Sequence, residues 1–157
     1  MSFRVFGDAM ELPVEGRPVS VLAADVLRVN EVMASNETAL NTAGGVPGLD
    51  WVEIRNTADF DIDITDWPIT DDPTKALSKW KRVAGPAVVP AHGYLVVWLD
   101  SSFAGWDPAD VHAPLGLSAS GEGIGLATPD GTIVSQYPSD SRWTMCRSGT
   151  GISSRRC

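Results

Sequence analysis

The sequence predicts an all-β sandwich of about eight to ten short strands, the architecture that turn signals at this spacing support. Three observations carry the prediction. Apolar and polar residues alternate along several short runs, 15 Gly and 11 Pro punctuate them, and helical periodicity is nearly absent. With 157 residues, 43% hydrophobic and 20% charged, the chain suits one domain with a real core, because folding at this size hides about two-thirds of the unfolded surface.

Residues 1–25 hold Pro13, Gly16 and Pro18 without a sustained period and read as a leading arm with one short strand at 19–23. The domain proper spans 26–137. Leu27 and Val29 alternate with Arg28 and Asn30, but Val32 and Met33 break the parity, so a bulge is expected near Asn30 and Glu31. Gly44, Gly45, Pro47 and Gly48 mark 36–48 as a long loop. In the next strand Trp51, Glu53 and Arg55 share one face and Val52 and Ile54 the other.

After a turn at 56–59, Ile62 and Ile64 alternate with Asp61, Asp63 and Thr65. Trp67 and Ile69 follow, and Pro68 between them suits only an edge or a bulge. Residues 72–81 are the one stretch that could hold a turn or two of helix. Trp80 and Val83 flank a basic strand, 86–93 supplies a turn, and 94–99 is apolar on both faces. That run is the candidate central strand, and its second face needs cover, from the leading arm or the tail. Residues 101–116 form a long excursion. Apolar runs at 123–128 and 132–136 then face each other across Pro129-Asp130-Gly131, a hairpin signal, and 138–157 is a C-terminal tail.

Lys and Arg number 12 against 20 Asp and Glu, a formal charge of −8 with a sequence pI near 4.6. Such a surface repels phosphate, so no nucleic-acid partner is expected, and Lys75, Lys79, Lys81 and Arg82 read as a solvated strand face. No window approaches the ~18 consecutive apolar residues of a membrane span. Residues 1–22 lack a basic end followed by an apolar run, so no signal peptide is visible.

Six carboxylates, Asp59, Asp61, Asp63, Asp66, Asp71 and Asp72, fall close together. A calcium loop begun at Asp59 would place Ile64 and Thr70 where Gly and Glu are required, so that motif fails. A metal would have to draw on Asp59, Asp61, Asp71 and Asp72; the plainer reading is a solvated face, with no metal. His92 and His112 have no nucleophile in a recognisable motif, and Glu31, Glu53 and Glu122 would act as a glycosidase pair only if two converged in a cleft. No catalytic residue and no cofactor are therefore expected. Of six tryptophans, Trp51, Trp67, Trp80 and Trp98 sit on expected strands, whereas Trp106 and Trp143 lie in loop and tail and are the binding candidates. Cys146 and Cys157 could pair with each other or be two free thiols, and no spacing suits zinc. Asn36-Glu37-Thr38 satisfies the N-glycosylation pattern.

Taken in order, several segments resemble the lamin tail domain, an immunoglobulin-like β-sandwich. Residues 27–36 (LRVNEVMASN) look like its opening strand and 50–56 (DWVEIRN) like its second. Residues 62–72, with Trp67 and Asp71-Asp72, are similar to the next segment, and 93–98 (GYLVVW) to the strand after it. Residues 117–122 (LSASGE), Gly125-Leu126 and Asp130-Gly131 close the pattern, which covers 26–137. Asp66 and Pro68 depart from it, standing where the family commonly has Gly and a strand former. The resemblance implies a docking or attachment module without catalysis and carries over no site residues. Without a heptad rod the bacterial style of use fits better, beside other secreted domains.

The expectation is a non-enzymatic module of an extracellular or cell-surface protein, docking another protein or neighbouring domains of a longer chain. Two alternatives stand beside it: a structural domain that self-associates through edge strands, near Pro68 or the leading arm, and a metal-dependent hydrolase using the carboxylates between Asp59 and Asp72.

Overall fold

The computed structural model describes residues 19–34, 36, 40–118, 123–137, 144–148 and 151–155, with side chains for 23–34, 36, 40–118 and 123–136. A helix α1 (Val19–Val26) leads into β1 (Leu27–Ala34), β2 (Asp50–Asn56), β3 (Ile62–Asp63) and β4 (Pro68–Thr70). A single 3-10 turn at Leu77–Lys79 precedes β5 (Lys81–Arg82), β6 (Val88–Val89), β7 (Tyr94–Leu99) and β8 (His112–Ala113). The chain continues through β9 (Ile124–Ala127), β10 (Ile133–Tyr137), β11 (Thr144–Ser148) and β12 (Gly151–Arg155). Three sheets result, ordered β11-β12-β1-β2-β7-β8, β10-β9-β4-β5 and β3-β6. The two larger ones enclose the core of an immunoglobulin-like β-sandwich. Twelve strands among the described residues exceed the eight to ten expected, because β11 and β12 and several two-residue strands carry too little alternation to announce themselves.

Alternation decides which face each strand buries. Leu27 and Val29 of β1, Val52 and Ile54 of β2 and Val97 and Leu99 of β7 turn inward, meeting Ile69, Ile124, Leu126 and Val134 from the facing sheet. Ile62, Ile64, Val83 and Val89 fill the rest of that core, all essentially without solvent exposure. Each such side chain stabilises the fold by about 1.5–3 kcal/mol relative to exposure. The expected bulge is present: pairing of β1 with β2 skips between Val29 and Glu31, so that Val32 and Met33 regain the correct faces.

Three expectations are corrected. Residues 19–23 form the start of α1 and not a strand. The Arg28 guanidinium donates to the carbonyls of Ala24 (2.8 Å), Leu27 (2.9 Å) and Asp25 (3.2 Å), satisfying the orphan acceptors at the helix end, while Ala23 is buried in the core. Pro68 lies in an interior strand, between β5 and β9, and is no edge. It is tolerated as the first residue of β4, ahead of the stretch from Ile69 that pairs with β9. Strand β7 is an interior strand but next to last in its sheet, not central, and loops lie over part of its second face; residues 1–18 of the expected covering arm lie outside the described residues.

One side of the sandwich closes almost as a barrel. Beyond β5, Ala84 donates to the carbonyl of His112 (2.7 Å) and accepts from its amide (3.2 Å), joining the edges of the two larger sheets.

Candidate interaction surface

The outward face of the six-stranded sheet divides into a loop-clad half and an open half. Met33, Trp51, Trp98 and His112 stand in one row across β1, β2, β7 and β8. Over this row the loops lay Val46, Leu49, Phe103 and Trp106, making a second, smaller core. Trp106 is half-buried, edge-on to Phe103 (centroids 4.7 Å apart, planes at 86°) and stacked on His112 (4.4 Å, 11°). The structure thus places Trp106 within the cover of the sheet, half-buried; Trp143 lies outside the described residues.

Polar side chains pin these loops in place. Asn36 Nδ2 donates to the carbonyls of Leu40 (2.9 Å) and Leu49 (3.0 Å). Buried Asp110 accepts from the amides of Ala43 (2.7 Å) and Asp107 (3.1 Å), and Asp50 accepts from Leu117 (3.1 Å). Asp100 accepts from the amide (2.6 Å) and hydroxyl (2.8 Å) of Ser102 and from the amide of Phe103 (2.9 Å). The Ser102 amide above all holds its carboxyl below the ordinary 3.8, against the opposing pull of partial burial. Asn36, at 2% exposure, is the acceptor of the sequence's glycosylation pattern. In this fold its amide nitrogen is a buried structural donor, and a glycan there would take apart the loop it anchors.

The acidic segment is spread over separate turns. Asp59 reaches His92 Nε2 at 2.6 Å, with both side chains exposed, and Asp61 accepts from the Ala91 amide (2.8 Å), so these two dock the turn between β6 and β7. Asp71 and Asp72 lie by Lys75, at 3.3 and 3.8 Å, and Asp72 also accepts from the amide (3.0 Å) and hydroxyl (2.5 Å) of Thr74. Those Thr74 bonds hold the Asp72 carboxyl below its ordinary value. Asp63 accepts from the Thr65 amide (2.8 Å), and Asp66 has a positive φ of 61°. Among the described residues no three Asp, Glu, His or Cys side chains assemble as metal ligands. Glu31 and Glu53 are register partners on the sheet face, where Glu53 accepts from Asn30 Nδ2 (2.6 Å); Glu122 lies outside the described residues. Lys79, Lys81 and Arg82 are exposed, and Arg82 donates to the Asp66 carbonyl (3.1 Å). Cys146 is described by its backbone alone and Cys157 not at all, so their pairing lies outside the described residues.

Beyond the loops, among the described residues, the face carries exposed side chains. Arg55 and Tyr94 are register partners on β2 and β7, the guanidinium carbon sits 5.7 Å from the ring centroid, and Tyr94 is 49% exposed. Half-buried Val96 and Glu53 form the next pair along. Sequence reasoning set Arg55 on the mixed face of its strand but did not single out Tyr94, which it absorbed into a doubly apolar run. The signal was the strand-to-strand register, and one sequence does not print that.

The family model of the Lamin Tail Domain matches residues 21–140. Comparisons with curated proteins and with solved structures found no match. The matched span begins within α1 and takes in β1 to β10, which is the whole four-stranded sheet, four strands of the six-stranded one and the loop-clad row of indoles. This chain belongs to the lamin tail domain family, a family of immunoglobulin-like modules and not of enzymes.

Proposed function

We propose that the domain is a non-enzymatic attachment module that docks another protein, or a neighbouring domain of a longer chain, through the open half of its six-stranded sheet. The observation that carries the reading is the exposed Arg55–Tyr94 pair, in register on two neighbouring strands of the six-stranded sheet. Tyr and Arg are the side chains that dominate protein interfaces, because each brings a large contact area, an apolar body and a directed polar group. The adjoining Val96 and Glu53 supply an apolar and an anionic neighbour. Asn36, Asp100 and Asp110, by contrast, are engaged in holding loops. The bacterial style of family use supports placing the parent protein outside the cell or at its surface.

A photo-crosslinking residue at position 94 of the full chain, compared with one at exposed position 79 next to β5 of the four-stranded sheet, tests the docking face in envelope and secreted fractions of the source cells. Protein adducts from position 94 that disappear with Arg55→Ala are expected. Equal adducts from both positions, or adducts from 79 alone, overturn the choice of face. Fractionation of the tagged parent protein tests its address, and a wholly cytosolic pool overturns it.

A further inference from the structure

The two sides of the sandwich are finished differently. On one, the Ala84–His112 bridge joins the sheet edges. On the other, the Val29 amide donates to Ser135 of β10 (3.1 Å), and from residue 31 onward β1 has β12 as its outer neighbour. The pairs are Glu31 with Arg155, Val32 with Ser154, Met33 with Ser153 and Ala34 with Ile152. The β11–β12 hairpin lies beyond the family match, which ends at 140. Within the matched residues alone, 31–34 would be an open strand edge. The hairpin strands read TMCRS and GISSR, with Met145, Cys146 and Ile152 as their apolar residues. A two-stranded hairpin of that composition is marginal by itself. Main-chain pairing to β1 gives it a place, and such pairing takes no account of which copy supplies the strand.

We propose that residues 31–34 of β1 are a strand-docking edge whose occupant, in cis in the monomer, is in trans the same hairpin from a second copy of this chain, giving a strand-exchanged dimer. Exchange reproduces every β1–β12 pair in the same antiparallel register and changes only the path of the connection between β10 and β11. In the monomer that short connection keeps the hairpin at an effective concentration of order mM. Exchange therefore grows with protein concentration, or where copies are held side by side. The surface is distinct from the Arg55–Tyr94 face, so the two proposals stand or fall separately.

The test uses two full-length variants in a Cys146→Ser, Cys157→Ser background, one with Ala34→Cys and the other with Ile152→Cys. They are mixed over a range of concentrations, passed briefly through mild denaturant, oxidised, and read by intact mass. Cβ separations of ~4.5–5.5 Å between directly opposed antiparallel residues are close enough for a disulfide after small adjustments. A 34–152 heterodimer that increases with concentration is expected, together with an intrachain bond when both cysteines share one dilute chain. The intrachain bond without heterodimer at any concentration overturns the proposal, and so does the absence of both. A dominant Ala34→Cys homodimer means two β1 edges pairing directly, and it overturns the hairpin as occupant.

Discussion

The Val29 amide donates to the Ser135 hydroxyl at 3.1 Å, across 106 positions of sequence, and each partner sits beside a break in its own strand. The β1 register skips between Val29 and Glu31, and the β10 register skips between Ile133 and Ser135. The second skip lets Val134 and Ser135 both turn inward, at 6% and 7% exposure. Pairing with β12 begins only at Glu31, so the bulge leaves an amide that the facing sheet satisfies. Ser135→Ala strands that amide in a dry place, at a cost of about 1–3 kcal/mol. A lower denaturation midpoint with unchanged slope, and faster hydrogen exchange at Val29, is the expected result. Unchanged protection of Val29 contradicts it.

Asp66 sits in backbone that would also suit the Gly which the resemblance leads one to expect before Trp67. Its φ of 61° is left-handed backbone, where glycine is at ease and a carbonyl-bearing short side chain is the next best choice. The position is fixed from outside, since its amide donates to Val83 (2.9 Å) and its carbonyl accepts from Arg82. Asp66→Gly removes the strain but adds freedom to the unfolded chain, so stability is expected to rise by no more than about 1 kcal/mol. Asp66→Val meets the full steric penalty and costs about 1–2 kcal/mol. Thermal melts of the three proteins check the order Gly, Asp, Val.

Where local pattern and final structure obey the same rule, the sequence is readable. The bulge at Asn30, the two faces of β2 and the hairpin across Asp130-Gly131 each follow from parity or turn chemistry within a few residues. Helix α1 was hidden because its carbonyls are capped by Arg28, which lies beyond the helix itself. The cover over β7 depends on bonds between distant loops, Asn36 to Leu49 and Asp110 to Ala43. The Arg55–Tyr94 pair is likewise a consequence of register, so the candidate surface was less legible than the strands that present it.

Gly125 is another residue whose identity is set by a distant neighbour. A Cβ there would lie 2.8 Å from Cη2 of Trp80 and 3.2 Å from Cγ2 of Thr70. Trp80 is buried against that strand and its Nε1 donates to the Lys75 carbonyl (3.1 Å), so the indole cannot swing aside freely. Gly125→Ala is expected to cost about 1–3 kcal/mol through overpacking and to red-shift Trp80 emission. Combining it with Trp80→Phe should cost less than the two changes summed, because the smaller ring makes room. Strict additivity in a double-mutant cycle contradicts the contact.

Asp100 links pH to the cover over the indole row. Its carboxyl is held below 3.8 mainly by the Ser102 amide, with further help from the Ser102 hydroxyl and the Phe103 amide and some opposition from burial. A folded value depressed below the unfolded one means that the ionised group favours the fold. That contribution is fully present above the unfolded value and is lost as pH falls through the folded one. Asp100→Asn keeps the shape but exchanges charge-assisted bonds for neutral ones. The variant is therefore expected to be less stable than the parent above about pH 5, with the difference shrinking as pH drops below about 4. Phe103 is the next link, because its amide is one of the donors and its ring meets Trp106 edge-on. Loosening this turn should make Trp106 more accessible, giving stronger acrylamide quenching at pH 7 in the variant and in the parent only on acidification. A stability difference independent of pH would show that shape, not charge, sets this turn.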